Sequence, residues 1–220
     1  MKFAGDNPIP TQSYLSDRIG KLMAMTSISY TQEQIELLAK LIVLLCKWNK
    51  SLNLTSIKDP DHMVVLHILD SAVLSPLLIG KNIADVGTGA GFPGLVLAIL
   101  NPDKKFTLID SISKKLSFVK TACVELQLKN VNLINDRCEN IQVETPFDCI
   151  VSRAFAPLGK MVSWCINLLD KDGTFLAMKA NLEDEEIKDI PSFVTIQKIK
   201  ELHVPTLNAK RQVVYIKKAE

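Results

Sequence analysis

The chain has 220 residues, 47% of them hydrophobic and 23% charged, with a formal net charge of +2. Such a composition excludes a chain disordered throughout and leaves room for one domain with a substantial core. The weak positive charge permits a polyanionic partner without demanding one.

The five cysteines (Cys46, Cys123, Cys138, Cys149 and Cys165) have neither zinc-knuckle nor thioredoxin-like spacing. They read as free thiols of a reducing compartment, and no metal is expected. Met1 to Pro10 holds no apolar run of the signal-peptide type. The most apolar stretch, Leu37 to Cys46, is too short for a membrane span. A cytoplasmic chain that enters no membrane is expected.

The first eighty residues read as helical. Thr31 with Gln34 forms a capping-box pattern, and Ile35, Leu38, Ile42 and Leu45 then line one helix face. Trp48 is expected to anchor these helices to the core. A second helix starts at Asp59-Pro60, carries Val64, Val65, Ile68, Leu69 and Val73, and stops near Ser75-Pro76. After Gly80 short apolar runs alternate with helical patterns. Strands are expected at Ile83 to Val86, Phe106 to Ile109, Val131 to Ile134, Cys149 to Val151 and Thr174 to Met178. Helices are expected over Pro93 to Leu100, Lys114 to Leu128 and Met161 to Leu169. Uninterrupted apolar strands alternating with helices imply a parallel sheet covered on both faces. The last two strands, near 194–199 and 212–217, have no helix between them and are expected to pair antiparallel at one end of the sheet. The expected organisation is a helical N-terminal segment, residues 1–80, packed on an α/β core, residues 81–220.

Asp85-Val-Gly87-Thr-Gly89-Ala-Gly91-Phe-Pro-Gly94 follows the first strand and opens a helix. Glycines let the main chain approach a ligand, and the helix start offers unpaired N–H groups. Asp110 closes the second strand, where a carboxylate can accept both hydroxyls of a ribose. Together they describe an adenosine-type ligand across the carboxyl ends of the first strands. The same letters satisfy a dinucleotide fingerprint, so a nicotinamide-dependent oxidoreductase stays open. Three features favour S-adenosylmethionine. Asp85 is placed to meet an amino-acid ammonium or a water beside it. Pro93 removes an N–H that a pyrophosphate would use. The terminal strand pair is the topology of class I methyltransferases, on a Rossmann-like core.

Asn53-Leu-Thr55, His67-Ile-Leu-Asp70-Ser71, the glycine loop, Asp110-Ser111, Ser152-Arg-Ala-Phe155 and Met178-Lys179 resemble the RsmG family, also called glucose-inhibited division protein B. The resemblance runs from about Trp48 to the C-terminus. It implies methyl transfer from S-adenosylmethionine to guanine N7 in small-subunit (16S) ribosomal RNA, with free RNA or the ribosomal subunit as partner. It further implies that Gly87, Gly89 and Phe92 line the donor pocket with Asp110. Cys138 and Glu139 would lie beside the adenine, and Arg153 would border the methionine end. Lys179 and Arg211 look like RNA-facing cations. Two departures are Leu66, where an arginine commonly precedes the histidine, and Cys138, at a usually apolar position.

Guanine N7 carries an in-plane lone pair and no proton, so no general base is needed and no catalytic acid or base is assigned; the requirement is in-line positioning. Lys210, Arg211, Lys217 and Lys218 form a candidate RNA-facing cluster, with protective lysines of a strand edge as the alternative. His67 reads as a helix-face histidine. Lys114, Lys115 and Lys120 read as a solvated face, and Glu183 to Glu186 as the acid-rich first turn of a helix. A catalytically silent RNA-binding assembly factor is the third possibility, and a monomer is expected.

Overall fold

The computed structural model describes residues 8–219. Two helices, α1 (Gln12–Met23) and α2 (Gln32–Leu52), open the fold. The hydroxyl of Thr11 caps the first by accepting Tyr14 N–H. The expected capping box at Thr31 and Gln34 starts the second, satisfying two otherwise orphaned donors. Asn53, in the left-handed region at φ 48°, ends it. The stripe Ile35, Leu38, Ile42 and Leu45 is fully buried, and Trp48 packs edge-on against Phe118 at 5.9 Å.

The next helical stretch begins as expected, with the Asp59 carboxylate capping His62 N–H and Pro60 in the first turn. It is not one regular helix. A short α3 (Pro60–Met63) passes into a wide π-turn over Val64–Leu69 and resumes as α4 (Asp70–Ala72), with a 3-10 turn at Ser75–Leu77. Such bulges re-aim side chains and concentrate at functional sites; this one carries His67 and leads into Asp70.

The remainder alternates as the apolar runs require: β1 (Asn82–Val86), α5 (Gly94–Leu100), β2 (Lys105–Ile109), α6 (Ser113–Glu125), β3 (Val131–Ile134), β4 (Phe147–Arg153), α7 (Leu158–Cys165), β5 (Leu169–Lys179), α8 (Asp184–Lys188), β6 (Val194–Glu201) and β7 (Gln212–Lys218). The seven strands are ordered β3-β2-β1-β4-β5-β7-β6. The first five run parallel, while β7 is antiparallel to both β5 and β6. The terminal pair is therefore antiparallel as expected, with the last strand inserted beside β5. Helix α6 stops short of the expected Leu128 because Gln127 takes φ 54°. Helix α7 starts at Leu158, directly after Pro157, rather than at Met161.

One face of the sheet is covered by α5 and α6, whose buried residues share a single core with α1, α2 and the π-turn. Every residue of α5 is buried, so this helix is sandwiched between sheet and N-terminal helices. The other face packs against α7 through Leu158, Met161, Val162 and Cys165. Each such aliphatic side chain contributes about 1.5–3 kcal/mol by leaving water. Four of the cysteines are buried, Cys123 is half-buried, and all five are free. Among the described residues no helix is long and apolar enough to cross a membrane.

Candidate active site

The loop after β1 is fastened from beneath by Asp85. Its Oδ2 accepts the Thr88 hydroxyl at 2.5 Å and the Gly94 N–H at 2.8 Å, so one carboxylate oxygen ties both ends of the loop. The side chain is fully buried, and Oδ1 has no hydrogen-bond partner. Burial raises its pKa to about 6; the bonds from Thr88 and Gly94 oppose that rise, as does the charge of Arg153. A buried acceptor left open costs about 1–3 kcal/mol, which marks Oδ1 as a place for a donor group.

Gly87 takes φ 70°, and a Cβ there would fall 2.2 Å from Phe155 Cδ2, so both backbone and neighbour favour glycine. Asp110, at the carboxyl end of β2, accepts Gly89 N–H at Oδ2 and Ile112 N–H at Oδ1, both at 2.8 Å. Each oxygen keeps a lone pair for a further donor.

Above this loop opens a cleft of about 420 Å³. Gly87 and Asp110 form its floor, and Cys138 and Glu139, from a 3-10 turn after β3, form one wall. The Cys138 thiol points at Glu139, 3.4 Å from Oε2. Phe155 and Trp164 close the far side as an edge-to-face pair at 5.8 Å. Ile112, about half exposed, offers an apolar ledge, and Lys115 and Arg137 stand at the rim. Acid and apolar surface in this order suit a ribose with a flat base beyond it.

Two residues expected in the pocket lie behind it. Phe92 is 4% exposed and stacks on His67 with ring centres 4.6 Å apart. Arg153 turns away from the cleft toward the π-turn. Its Nη1 donates to Leu66 O at 2.8 Å and to Asp70 Oδ2 at 3.0 Å, and Nη2 lies 3.4 Å from His67 Nδ1. A guanidinium only donates, so Nδ1 is the acceptor and Nε2–H faces the Thr55 hydroxyl at 3.0 Å. Burial, then the Arg153 charge, pushes His67 down to about 3, keeping it neutral. The Leu66 contact is made by its carbonyl, which any residue at that position would supply.

The expected RNA-facing cations are also tied down. Lys179 Nζ pairs with Glu186 Oε2 at 2.7 Å and donates to Ala156 O at 3.1 Å. Arg211 Nε pairs with Asp70 Oδ1 at 2.7 Å. Only 14% of each side chain is exposed. The four basic residues near the C-terminus do not form one cluster. Lys210 and Arg211 precede β7 while Lys217 and Lys218 end it, and Lys218 is spent on Leu169 O. Lys115 faces the cleft, whereas Lys114 and Lys120 are exposed as read from the sequence. Glu183 to Glu186 do form the acidic start of α8.

Sequence reasoning missed Ile112, Lys115, Arg137, Phe155 and Trp164 as cleft residues, and Asp70 as the partner of two arginines. Asp70 and Phe155 lay inside quoted motifs, but nothing in their spacing says what they touch. Among the described residues no cluster of histidine, cysteine and carboxylate could hold a metal ion.

The model of the family GidB, described as rRNA small subunit methyltransferase G, matches residues 34–215. The chain is 48% identical over 204 residues to the ribosomal RNA small subunit methyltransferase G of Psychromonas ingrahamii, covering 93% of this chain and 99% of that one. It is 47% identical over 206 residues to the protein of the same name from Pasteurella multocida, covering 94% and 98%. Among solved structures it is similar to the N-methyltransferase NodS of Bradyrhizobium japonicum in complex with S-adenosyl-L-homocysteine. There the TM-score is 0.51 at 14% identity, covering 69% of this chain and 84% of that one. It is also similar to a ribosomal protein L11 methylase from Lactobacillus delbrueckii, with TM-score 0.50 at 14% identity, covering 69% and 77%. The fold is that of the class I methyltransferases.

Proposed function

The chain belongs to the GidB family, rRNA small subunit methyltransferase G, and from that premise we propose that it moves a methyl group from S-adenosylmethionine to N7 of a guanine in 16S ribosomal RNA. The observation that carries the reading is the cleft floored by Gly87 and Asp110 beside the buried, half-satisfied Asp85.

The bound donor supplies an electrophilic methyl on a sulfonium that leaves readily. Asp110 is suited to accept the ribose hydroxyls through its remaining lone pairs. Ile112, Cys138 and Trp164, which line the cleft, would flank the adenine, with Glu139 beside it. Asp85, buried beneath the loop with Oδ1 unpartnered, would act on the amino-acid ammonium through a bridging water, and that charge would lower its pKa. N7 has no proton to lose, so these residues orient and desolvate rather than exchange protons, and the barrier falls through proximity. A nicotinamide reading fits less well, since the sheet carries an antiparallel strand between β5 and β6, unlike the all-parallel dinucleotide fold. The protein would act as a cytoplasmic monomer on the small subunit or its RNA.

Thermal unfolding with added cofactor tests the donor assignment. S-adenosylhomocysteine at a hundred times its Kd should stabilise the chain by about 2.7 kcal/mol. Stabilisation by NAD(P) and none by S-adenosylhomocysteine would overturn it.

A further inference from the structure

At the edge of the sheet that carries the cleft, β4 and β5 each end on a cation, and another immediately precedes β7. Arg153 is opposite Met178, and Lys179 opposite Gln212, so Arg153, Lys179 and Arg211 belong to adjacent strand ends. Their charges are not equivalent. Lys179 is neutralised by Glu186. Arg153 and Arg211 share one carboxylate, that of Asp70, which is buried with 4% of its side chain exposed. The nearest titratable neighbour, His67, is neutral. Asp85 acts on Arg153 from farther off, so the two guanidinium groups share one contacting carboxylate in a site where they are only 17% and 14% exposed. A nearly buried guanidinium that shares its paired carboxylate with another leaves N–H donors for a further anion.

We propose that Asp70 is a positioning residue which holds the Arg153 and Arg211 guanidinium groups side by side as a receiver for one phosphate of the substrate RNA. The inference rests on the RNA-methyltransferase reading. None of the three residues lines the cofactor cleft, which argues for a phosphate of the substrate rather than the carboxylate of the donor. Guanidinium forks match phosphate oxygens, provided their planes are fixed in advance. Here they are fixed. Arg153 is held by Leu66 O, Asp70 and His67 on the π-turn, and Arg211 by Asp70 and by Lys210 O at 2.9 Å. Arg211 Nη2 has no protein partner among the described residues and is the donor left for a ligand. Asp70, the first residue after the wide turn, thus anchors two arginines that arrive from the core, 83 and 141 residues later in the chain.

Charge and position make opposite forecasts for Asp70→Asn. The substitution makes the chain one charge more positive, so attraction alone would tighten RNA binding. Loss of the shared carboxylate lets the two guanidinium groups repel and splay, so positioning forecasts weaker binding. The experiment is binding of the full chain to small-subunit particles over a range of salt, with S-adenosylhomocysteine affinity and Tm measured beside it. Expected for Asp70→Asn is about a tenfold loss of particle affinity and a log–log salt slope smaller by about one, the signature of one phosphate contact. S-adenosylhomocysteine affinity should stay within about twofold. Arg211→Gln, which keeps a donor for Asp70, should lose particle affinity and slope alike and serves if Asp70→Asn does not fold. Unchanged or tighter particle binding, or a parallel loss of S-adenosylhomocysteine affinity, overturns the inference. Failure of the wild-type chain to bind particles at all would overturn the RNA reading with it.

Discussion

The ring of Phe155 covers the Cα of Gly87 so closely that a side-chain carbon at that position would lie 2.2 Å from its Cδ2. The contact joins the loop after β1 to the segment after β4, across the cleft that both of them line. Ala154, just before Phe155, is held at φ 53°, a conformation costly for a residue with a side chain. Two costs therefore meet in Gly87→Ala: the loss of an easy positive φ and a clash with a ring. Denaturant unfolding should show a loss of about 1–3 kcal/mol. S-adenosylhomocysteine binding by calorimetry should fall below detection. Adding Phe155→Ala to Gly87→Ala should recover part of the stability, because it removes the clash and leaves the φ cost.

Asp110→Asn tests the floor of the cleft without changing its shape. An amide presents one acceptor oxygen where the carboxylate presents two, so either Gly89 N–H or Ile112 N–H loses its partner, and so does one ribose hydroxyl. Hydrogen bonds to charged groups are worth about 1.5–3 kcal/mol, which forecasts a roughly 10- to 100-fold weaker donor Kd. Trp164 gives the readout, since it lines the cleft while the other tryptophan, Trp48, is packed on Phe118. The donor should change the fluorescence of the wild type and leave Trp164→Phe almost silent.

Stability against pH should show two opposed buried groups. His67 is pushed down from 6.5 to about 3, so between these values the unfolded chain binds more protons than the folded one. Its contribution is complete above pH 6.5 and is lost as pH falls toward 3. Asp85 is raised from 3.8 to about 6, so its contribution is complete below pH 3.8 and is lost as pH rises through 6. His67→Gln, which can still donate to Thr55, should flatten the fall in Tm between pH 7 and pH 4. Asp85→Asn should steepen it. Equal slopes in all three proteins would show that neither group titrates as its burial requires.

The Lys179–Glu186 pair makes a separate forecast. Glu186 Oε2 also accepts Leu158 N–H at 3.1 Å, so this one oxygen fastens α8 to both the end of β5 and the start of α7. Glu186→Gln should lower stability by about 1–2 kcal/mol, because a mostly buried ammonium loses its partner. It should also make particle binding more salt-dependent, because Lys179 gains a free charge.

Much of this architecture is legible in local sequence. The capping box at Thr31, the Asp59-Pro60 helix start, the apolar strands and the glycine loop each depend on residues close in the chain. The antiparallel pairing of the last two strands followed from the lack of a helix between them. The π-turn over Val64–Leu69 was hidden, since its apolar pattern serves a regular helix equally well. The site divides in the same way. Gly87 and Asp110 directly follow strands and were legible from the residues, whereas Cys138 and Glu139 came from the family resemblance. Phe92 and Arg153 were placed by the same resemblance, yet their side chains turn to His67 and Asp70, a choice made by partners 25 and 83 residues away. Lys179 and Arg211 looked like open cations for the same reason, because a carboxylate that neutralises a charge from a distant element leaves no mark beside it.

The most direct test of the proposed activity is transfer of labelled methyl from S-adenosylmethionine to small-subunit particles taken from cells that lack this protein, with the labelled base mapped. Label should appear on a single guanine of 16S ribosomal RNA and be released by chemistry selective for N7-methylguanine. Gly87→Asp should abolish it. A folded wild-type chain that transfers no methyl to particles or to free RNA would contradict the proposed function, and label on any atom other than guanine N7 would contradict the proposed chemistry.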